Sequence, residues 1–166
     1  MCEKPVADPN NIRKMKIEKD FDQVTEIWLH GAKKSHRKFI PETFWDSVDI
    51  EKEIRDAKEQ YVYEEEGIIR GFIIVREDGY IFEVYVDFRE EDFRGKGIGT
   101  ALLKTLMGEN PKFPELKERY LCLTSHVYAH NHESFVWHIK REFKVTGIHF
   151  CPDTGLPKFA MKCEKK

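Results

Sequence analysis

Between Val84 and Leu103 the chain reads VYVDFREEDFRGKGIGTALL: an apolar alternating stretch, a charged loop, glycines at alternate positions 95, 97 and 99, then apolar residues at helical spacing. A strand, a glycine turn and a helix in direct succession leave few folding choices, because the helix must start beside the end of the strand. The first amides of that helix have no intrahelical partner, and the helix dipole favours negative charge there. Glycine lets such a backbone close on phosphate oxygens with no side chain between, so a pyrophosphate would fit. A glycine turn without a ligand is the other reading of the same residues. The loop is neither the GxGxxG of a dinucleotide fold nor the GxxxxGK[ST] of a P-loop.

The 166 residues around this segment amount to about one domain. Residues 1–11, with Pro5, Pro9 and paired asparagines, read as a flexible N-terminal arm, and residues 12–166 as a single domain. RKMKIEK alternates as a strand does, and Asp20 is placed to cap the helix that follows, whose Phe21, Val24, Ile27, Trp28 and Ala32 share a face. Pro41 suits the first turn of a second helix carrying Phe44, Trp45 and Val48. QYVYEEE, IIRGFIIVRE and YIFEVYVDF, separated by Gly67 and by Asp78-Gly79, predict an antiparallel meander. After the glycine helix come the strand YLCLTSHVY, a helix with Phe135, Val136, Ile139 and Phe143, and the strands KVTGIHF and KFAMKCE. These elements predict an α/β (α+β) fold, a mixed and mostly antiparallel sheet flanked by about four helices.

Lysine and arginine total 28 against 30 acids, so no overall field favours a polyanion and no nucleic-acid partner is expected. No stretch has the apolar length of a membrane span or the pattern of a leader, which predicts a cytoplasmic protein with no membrane partner. Cys2, Cys122, Cys151 and Cys163 form no CxxC pair and read as reduced thiols. His126, His130, His132, His149 and Cys151 have the chemistry of zinc ligands, but their spacing matches no closed zinc module, and no metal is expected.

From Arg94 the glycine loop reads R-x-x-G-x-G. It resembles the acyl-CoA signature [QR]-x-x-G-x-[GA] of the GCN5-related N-acetyltransferase (GNAT) superfamily. VYAHNHESFVWHIKREF resembles that family's V-Y-x-x-N-x-x-A-x-x-F-Y-x-x-x-G-F, and the order of elements over residues 12–166 is similar too. SHRKFIPETFW and TGLPKFAM resemble a branch of small bacterial members, some of which acetylate protein lysines. The resemblance implies that Arg94, Gly95, Lys96, Gly97, Ile98, Gly99 and Thr100 hold acetyl-CoA, with the amides of Lys96 to Thr100 on its pyrophosphate. It implies that Tyr85 and Val86 pair by backbone with the pantetheine arm and that Asn131 lines the coenzyme site, although Asn131 is equally placed as a helix N-cap.

The pattern departs from the family at two places. His138 stands where the family has Tyr, often the acid that protonates the departing thiolate, and Glu142 stands where it has Gly, so the helix end is open to run on differently. Imidazole can donate a proton near neutrality, while an exposed helix residue is the alternative for His138. Glu83 is the lone acid inside YIFEVYV and lies eleven residues before Arg94, the interval at which the histone-acetylating branch of the family carries its glutamate base. Burial would raise its pKa and improve it as a base; strict alternation would instead place it on a solvated face. His36, Phe39 and Trp45 fall where this fold builds acceptor specificity, with core packing as the other reading. The implied activity is transfer of acetyl from acetyl-CoA to an amine in a ternary complex, by a monomer or homodimer. A catalytically weakened acyl-CoA-binding or sensing module is the alternative that His138 and Glu142 motivate.

Overall fold

The computed structural model describes residues 7–165. Residues 1–6, with Cys2, lie outside the described part; residues 7–11, expected within the flexible arm, are packed. Ala7 is buried in the core, Pro9–Asn11 forms a 3-10 turn, and Asn110 and Lys112 donate hydrogen bonds to the carbonyls of Pro9 and Asn10.

Strand β1 is short, Ile12–Lys14, because helix α1, Ile17–His36, begins before the predicted strand would have ended. Asp20 does not cap this helix but lies within it, fully buried, accepting from the Lys16 N–H (2.7 Å) and from Arg13 (2.6 Å). Arg13 also binds Glu64, so one guanidinium ties three elements together. The second helix expected after Pro41 is two: α2, Glu42–Asp46, and α3, Ile50–Asp56. They are separate because the Asp49 carboxylate accepts from the Lys52 N–H (3.0 Å) and starts a new helix. The described residues therefore carry five α-helices, where about four were expected.

The meander forms as predicted: β2, Glu59–Glu65, β3, Ile68–Val75, and β4, Tyr80–Val86. After α4, Ile98–Leu106, come β5, Cys122–Tyr128, α5, His132–Ile139, β6, Lys144–Phe150, and β7, Pro157–Glu164. The seven strands make one sheet in the order β1-β2-β3-β4-β5-β7-β6, antiparallel except between β4 and β5. Trp28, Ile54 and Phe72 build the core on the face covered by α1 to α3; Ile73, Leu102 and Leu123 build it on the α4 face. No helix among the described residues is long and apolar enough to cross a membrane.

Two irregularities shape the middle of the sheet. Strands β4 and β5 are paired only at Tyr80 with Thr124 and Ile81 with Ser125; beyond Ile81 they part. Opposite β3 the register of β4 shifts, so that Ile74 faces Glu83 while Val75 faces Ile81. The extra residue breaks strict alternation: Ile81 and Val84 both pack on the α4 side, Phe82 and Tyr85 on the α1 side. The end of α5 also differs from expectation. Phe143 lies past the helix, Val136 and Ile139 are exposed, and the buried residue is His138. The helix does not run on, because Glu142 takes the left-handed conformation (φ 65°) that glycine would adopt at a helix end.

Candidate active site

The parting of β4 from β5 opens a cleft of about 1310 Å³ that runs from the start of α4 to the aromatic residues of α1 and α2. Its two ends are built differently.

At the first end, the turn after β4 is held by Asp87. Its carboxylate binds Arg89 (2.9 Å), and its carbonyl accepts from the Phe93 N–H (3.0 Å). Burial pushes the Asp87 carboxyl up, but the Arg89 hydrogen bonds and the Arg89 and Arg70 charges outweigh it and hold the group below the usual carboxylate range. Gly97, at φ 88°, turns the chain into α4 in a conformation that a branched side chain would resist. The first helical hydrogen bond runs from the Ala101 N–H to the Gly97 carbonyl (2.9 Å), leaving the amides of Ile98, Gly99 and Thr100 without an intrahelical partner. This backbone fits the anion expected there.

The side chains of the loop behave differently from its backbone. Arg94 is turned onto Asp92 (2.8 Å), Glu133 (3.3 Å) and the Phe88 ring, and Lys96 binds Glu91 outside the cleft. The cation that does reach the helix start is Arg141, absent from the sequence reading. It donates to Thr100 Oγ1 (3.0 Å) and to the Trp137 carbonyl (2.8 Å), stacks on the Trp137 ring, and is lowered in pKa by burial. The only signal for it in the sequence is a cation one turn after Trp137. Asn131 caps α5, accepting from the Ser134 N–H (3.2 Å), and lines the cleft.

At the second end stands Glu83. The shifted register turns it toward Trp28 on the α1 side, where it lines the cleft. Burial raises its pKa to about 7; the Trp28 indole N–H and the Lys158 charge pull the other way, and the Glu53 charge adds to the rise. Tyr85 lies over α1, and its ring stands 2.5 Å from where a Cβ on Gly31 would be, so that helix position has room only for glycine. Tyr85 and Val86 also line the cleft, on the part of β4 that β5 leaves unpaired.

His138 is buried and does not fit the role of imidazolium donor. Its Nδ1 lies 2.8 Å from the Ser134 carbonyl, an acceptor, so Nδ1 carries the proton and Nε2 accepts from Ser125 Oγ (3.1 Å). Burial lowers its pKa to about 4, and the ring is neutral near pH 7. His36 and Trp45 line the cleft and stack on each other at 5.2 Å. Phe39 does not line it; it is half-exposed and stacks on His130. The five residues with zinc chemistry are dispersed: His126 contacts His149, His130 bonds to His36, and Cys151 accepts from Tyr128. No group of three metal-ligating side chains forms among the described residues.

A mixed sheet parted between its fourth and fifth strands, with a helix start at one mouth of the gap, defines the class of α/β fold, and the unpaired amides at that helix start favour an anion. The family model described as an acetyltransferase (GNAT) domain matches residues 23–152, and the chain belongs to the GNAT family. The PaiA N-acetyltransferase of Thermoplasma acidophilum, solved in complex with coenzyme A, is similar at TM-score 0.69 and 21% identity, over 92% of this chain and 97% of that one. A GCN5-related N-acetyltransferase from Rhodopseudomonas palustris is similar at TM-score 0.73 and 16% identity, over 99% of both chains. Ard1 from Thermoplasma volcanium is similar at TM-score 0.68 and 22% identity, over 93% and 97%. These likenesses are of fold. Comparison with curated proteins gives no match.

Proposed function

We propose that this protein is an enzyme that transfers an acetyl group from acetyl-CoA to a primary amine, of a small molecule or a protein, by direct attack in a ternary complex. The observation that carries this reading is Glu83, a carboxyl raised to about 7 at the wall of the same cleft into which the start of α4 opens. An ordinary lysine-like amine titrates near 10.4 and must lose a proton before it attacks; a base near 7 takes that proton far better than one near 4.

In this reading the amides of Ile98, Gly99 and Thr100 and the Arg141 guanidinium hold the pyrophosphate, and β4 pairs through Tyr85 and Val86 with the pantetheine arm. Glu83 accepts the ammonium proton, directly or through water, and the neutral amine attacks the thioester carbonyl carbon. The carbon–sulfur bond then breaks, the nitrogen gives up its second proton to the departing thiolate or through water to solvent, and no imidazolium is needed because a thiolate of ordinary pKa, about 8.5, is a fair leaving group. His138 is a positioning residue: it orients Ser125 on β5, beside Ile81. The neutral, fully bonded His138 also supports a second reading, an acyl-CoA-binding module of weak or no turnover.

Two measurements separate the readings. Acetyl-CoA at 100 times its dissociation constant should stabilise the fold by ~2.7 kcal/mol, or roughly 5–10 °C in Tm for a chain of this size. Free thiol should appear when amines are added. A flat melting temperature with both acetyl-CoA and CoA overturns both readings, and a shift without thiol release from any amine leaves the binding module.

A further inference from the structure

At the acceptor end of the cleft Glu83 begins an arc of aromatic rings that finishes on a cation the proposed reaction does not use. Trp28 stands beside Glu83 with its ring 5.9 Å from Trp45; Trp45 stacks on His36 at 5.2 Å, and His36 meets Tyr128 at 5.0 Å. The Lys158 ammonium lies 4.3 Å from the centre of the Tyr128 ring. The antiparallel register sets Lys158 on β7 directly opposite Tyr128 on β5, so both side chains rise from one face of the sheet.

The charges and donors along this arc are informative. Among the described residues no carboxylate comes within ion-pair distance of Lys158, although Asp153 lines the same end of the cleft from the exposed turn before β7. His36 is buried and neutral, its pKa lowered to about 4 mainly by burial, with Nδ1 taken by His130 at 2.7 Å. The indole N–H of Trp45 is buried and has no hydrogen-bond partner, and that of Trp28, which faces Glu83, bonds nothing else. A buried donor left unpaired is costly, so the Trp45 N–H and an ammonium on the walls of one cleft point to an oxygen-rich, anionic guest. Glu83 points to an amine in the same guest.

We infer that the acceptor is an amine that also carries an anionic group, its nitrogen delivered to Glu83 and its anion held by Lys158 across the aromatic arc. This rests on the N-acetyltransferase reading and narrows it. Amino acids have the required chemistry, and so do amines bearing a phosphate. A diamine does not, because its second ammonium would meet Lys158, and a lysine side chain within a protein brings no anion of its own.

The test uses matched pairs: phenylalanine, leucine and methionine against their carboxamides, 4-aminobutyrate against its carboxamide, and phosphoethanolamine against ethanolamine, with putrescine alongside. Binding to the CoA-saturated protein is followed by calorimetry, which needs no turnover, and thiol release with acetyl-CoA is followed in parallel. At least one anionic probe should bind tenfold or more better than its neutral partner, the scale of one charge-assisted hydrogen bond. Whether the carboxylate pairs or the phosphate pair carry the preference identifies the anion. Lys158→Met should bring the ratio close to one, and Lys158→Arg should restore most of it. Equal binding within every pair, a preference for putrescine, a preference that survives Lys158→Met, or no binding by any probe overturns the inference. Brisk thiol release without an anion preference leaves N-acetyltransfer standing, whereas a protein whose melting temperature ignores acetyl-CoA loses the underlying reading as well.

Discussion

The two ends of the cleft solve the problem of recognition with different parts of the chain. At the α4 end the loop presents main-chain amides set by a glycine turn, joined by one side chain from outside it, Arg141, while the loop's own Arg94 and Lys96 are paired with neighbouring acids. At the Glu83 end the groups are side chains drawn from α1, α2, β4, β5 and β7. A backbone site is insensitive to most substitutions of its residues but intolerant of a change in turn geometry; a side-chain site loses its function one residue at a time. That contrast can be tested from both sides.

The largest effect is expected at Glu83. If Glu83 is the base, Glu83→Gln should lower kcat/KM by roughly 10²- to 10⁴-fold and remove the fall in activity expected of the unmodified protein as pH drops through about 7, while the acetyl-CoA shift in Tm persists. The raised pKa also affects stability. Folded Glu83 holds its proton more tightly than the unfolded chain does, so its contribution is full below the ordinary value of 4.5 and is lost as pH rises through about 7. Glu83→Gln should therefore melt higher than the parent above pH 7 and much like it below pH 4.5. An acid limb that survives in the variant would move the base elsewhere.

Next in size is Gly97→Val, which should abolish the ~2.7 kcal/mol stabilisation by acetyl-CoA, because valine resists φ 88° at the helix start. Lys96→Met, by contrast, should change the coenzyme affinity by less than about 1 kcal/mol, since its side chain pairs with Glu91 at the surface. A larger loss from Lys96→Met than from Gly97→Val would break the backbone-against-side-chain distinction. Arg141→Met should weaken acetyl-CoA by about tenfold and make its affinity less dependent on salt, as measured by titration at two ionic strengths. A further small effect concerns neither end directly: Glu142→Gly should relieve a left-handed backbone and add ~1 kcal/mol, about 2–4 °C in Tm.

The same contrast explains what could be read from the chain in advance. Apart from Arg141, the α4 end is one contiguous segment whose glycines, strand and helix are neighbours in sequence, so spacing alone placed Gly95, Gly97, Gly99 and the start of α4. The meander and the order of the later strands were legible for a similar reason, since alternation and turn residues are local. The Glu83 end had no such signature. Glu83 owes its direction to a shifted register that no alternation rule reveals, and Lys158 meets Tyr128 only through the pairing of β5 with β7. His138 shows the limit of reading by position: it stands where an acid was expected, but its burial and its two hydrogen bonds make it a neutral strut. Asp20 was misplaced because a carboxylate beside a helix start looks like a cap until a half-buried arginine claims it.

The short seam between β4 and β5 has a mechanical consequence. Two register pairs, Tyr80 with Thr124 and Ile81 with Ser125, join a four-stranded N-terminal block to a three-stranded C-terminal one, so by hydrogen bonding the sheet is nearly two sheets. A ligand lying along β4 from Glu83 to Val86 and anchored at α4 would act as a cross-brace between them. Amide exchange should register this as slower opening of β5 and β7 when acetyl-CoA is bound, at positions that never touch the coenzyme, and the two blocks should then unfold together instead of in sequence.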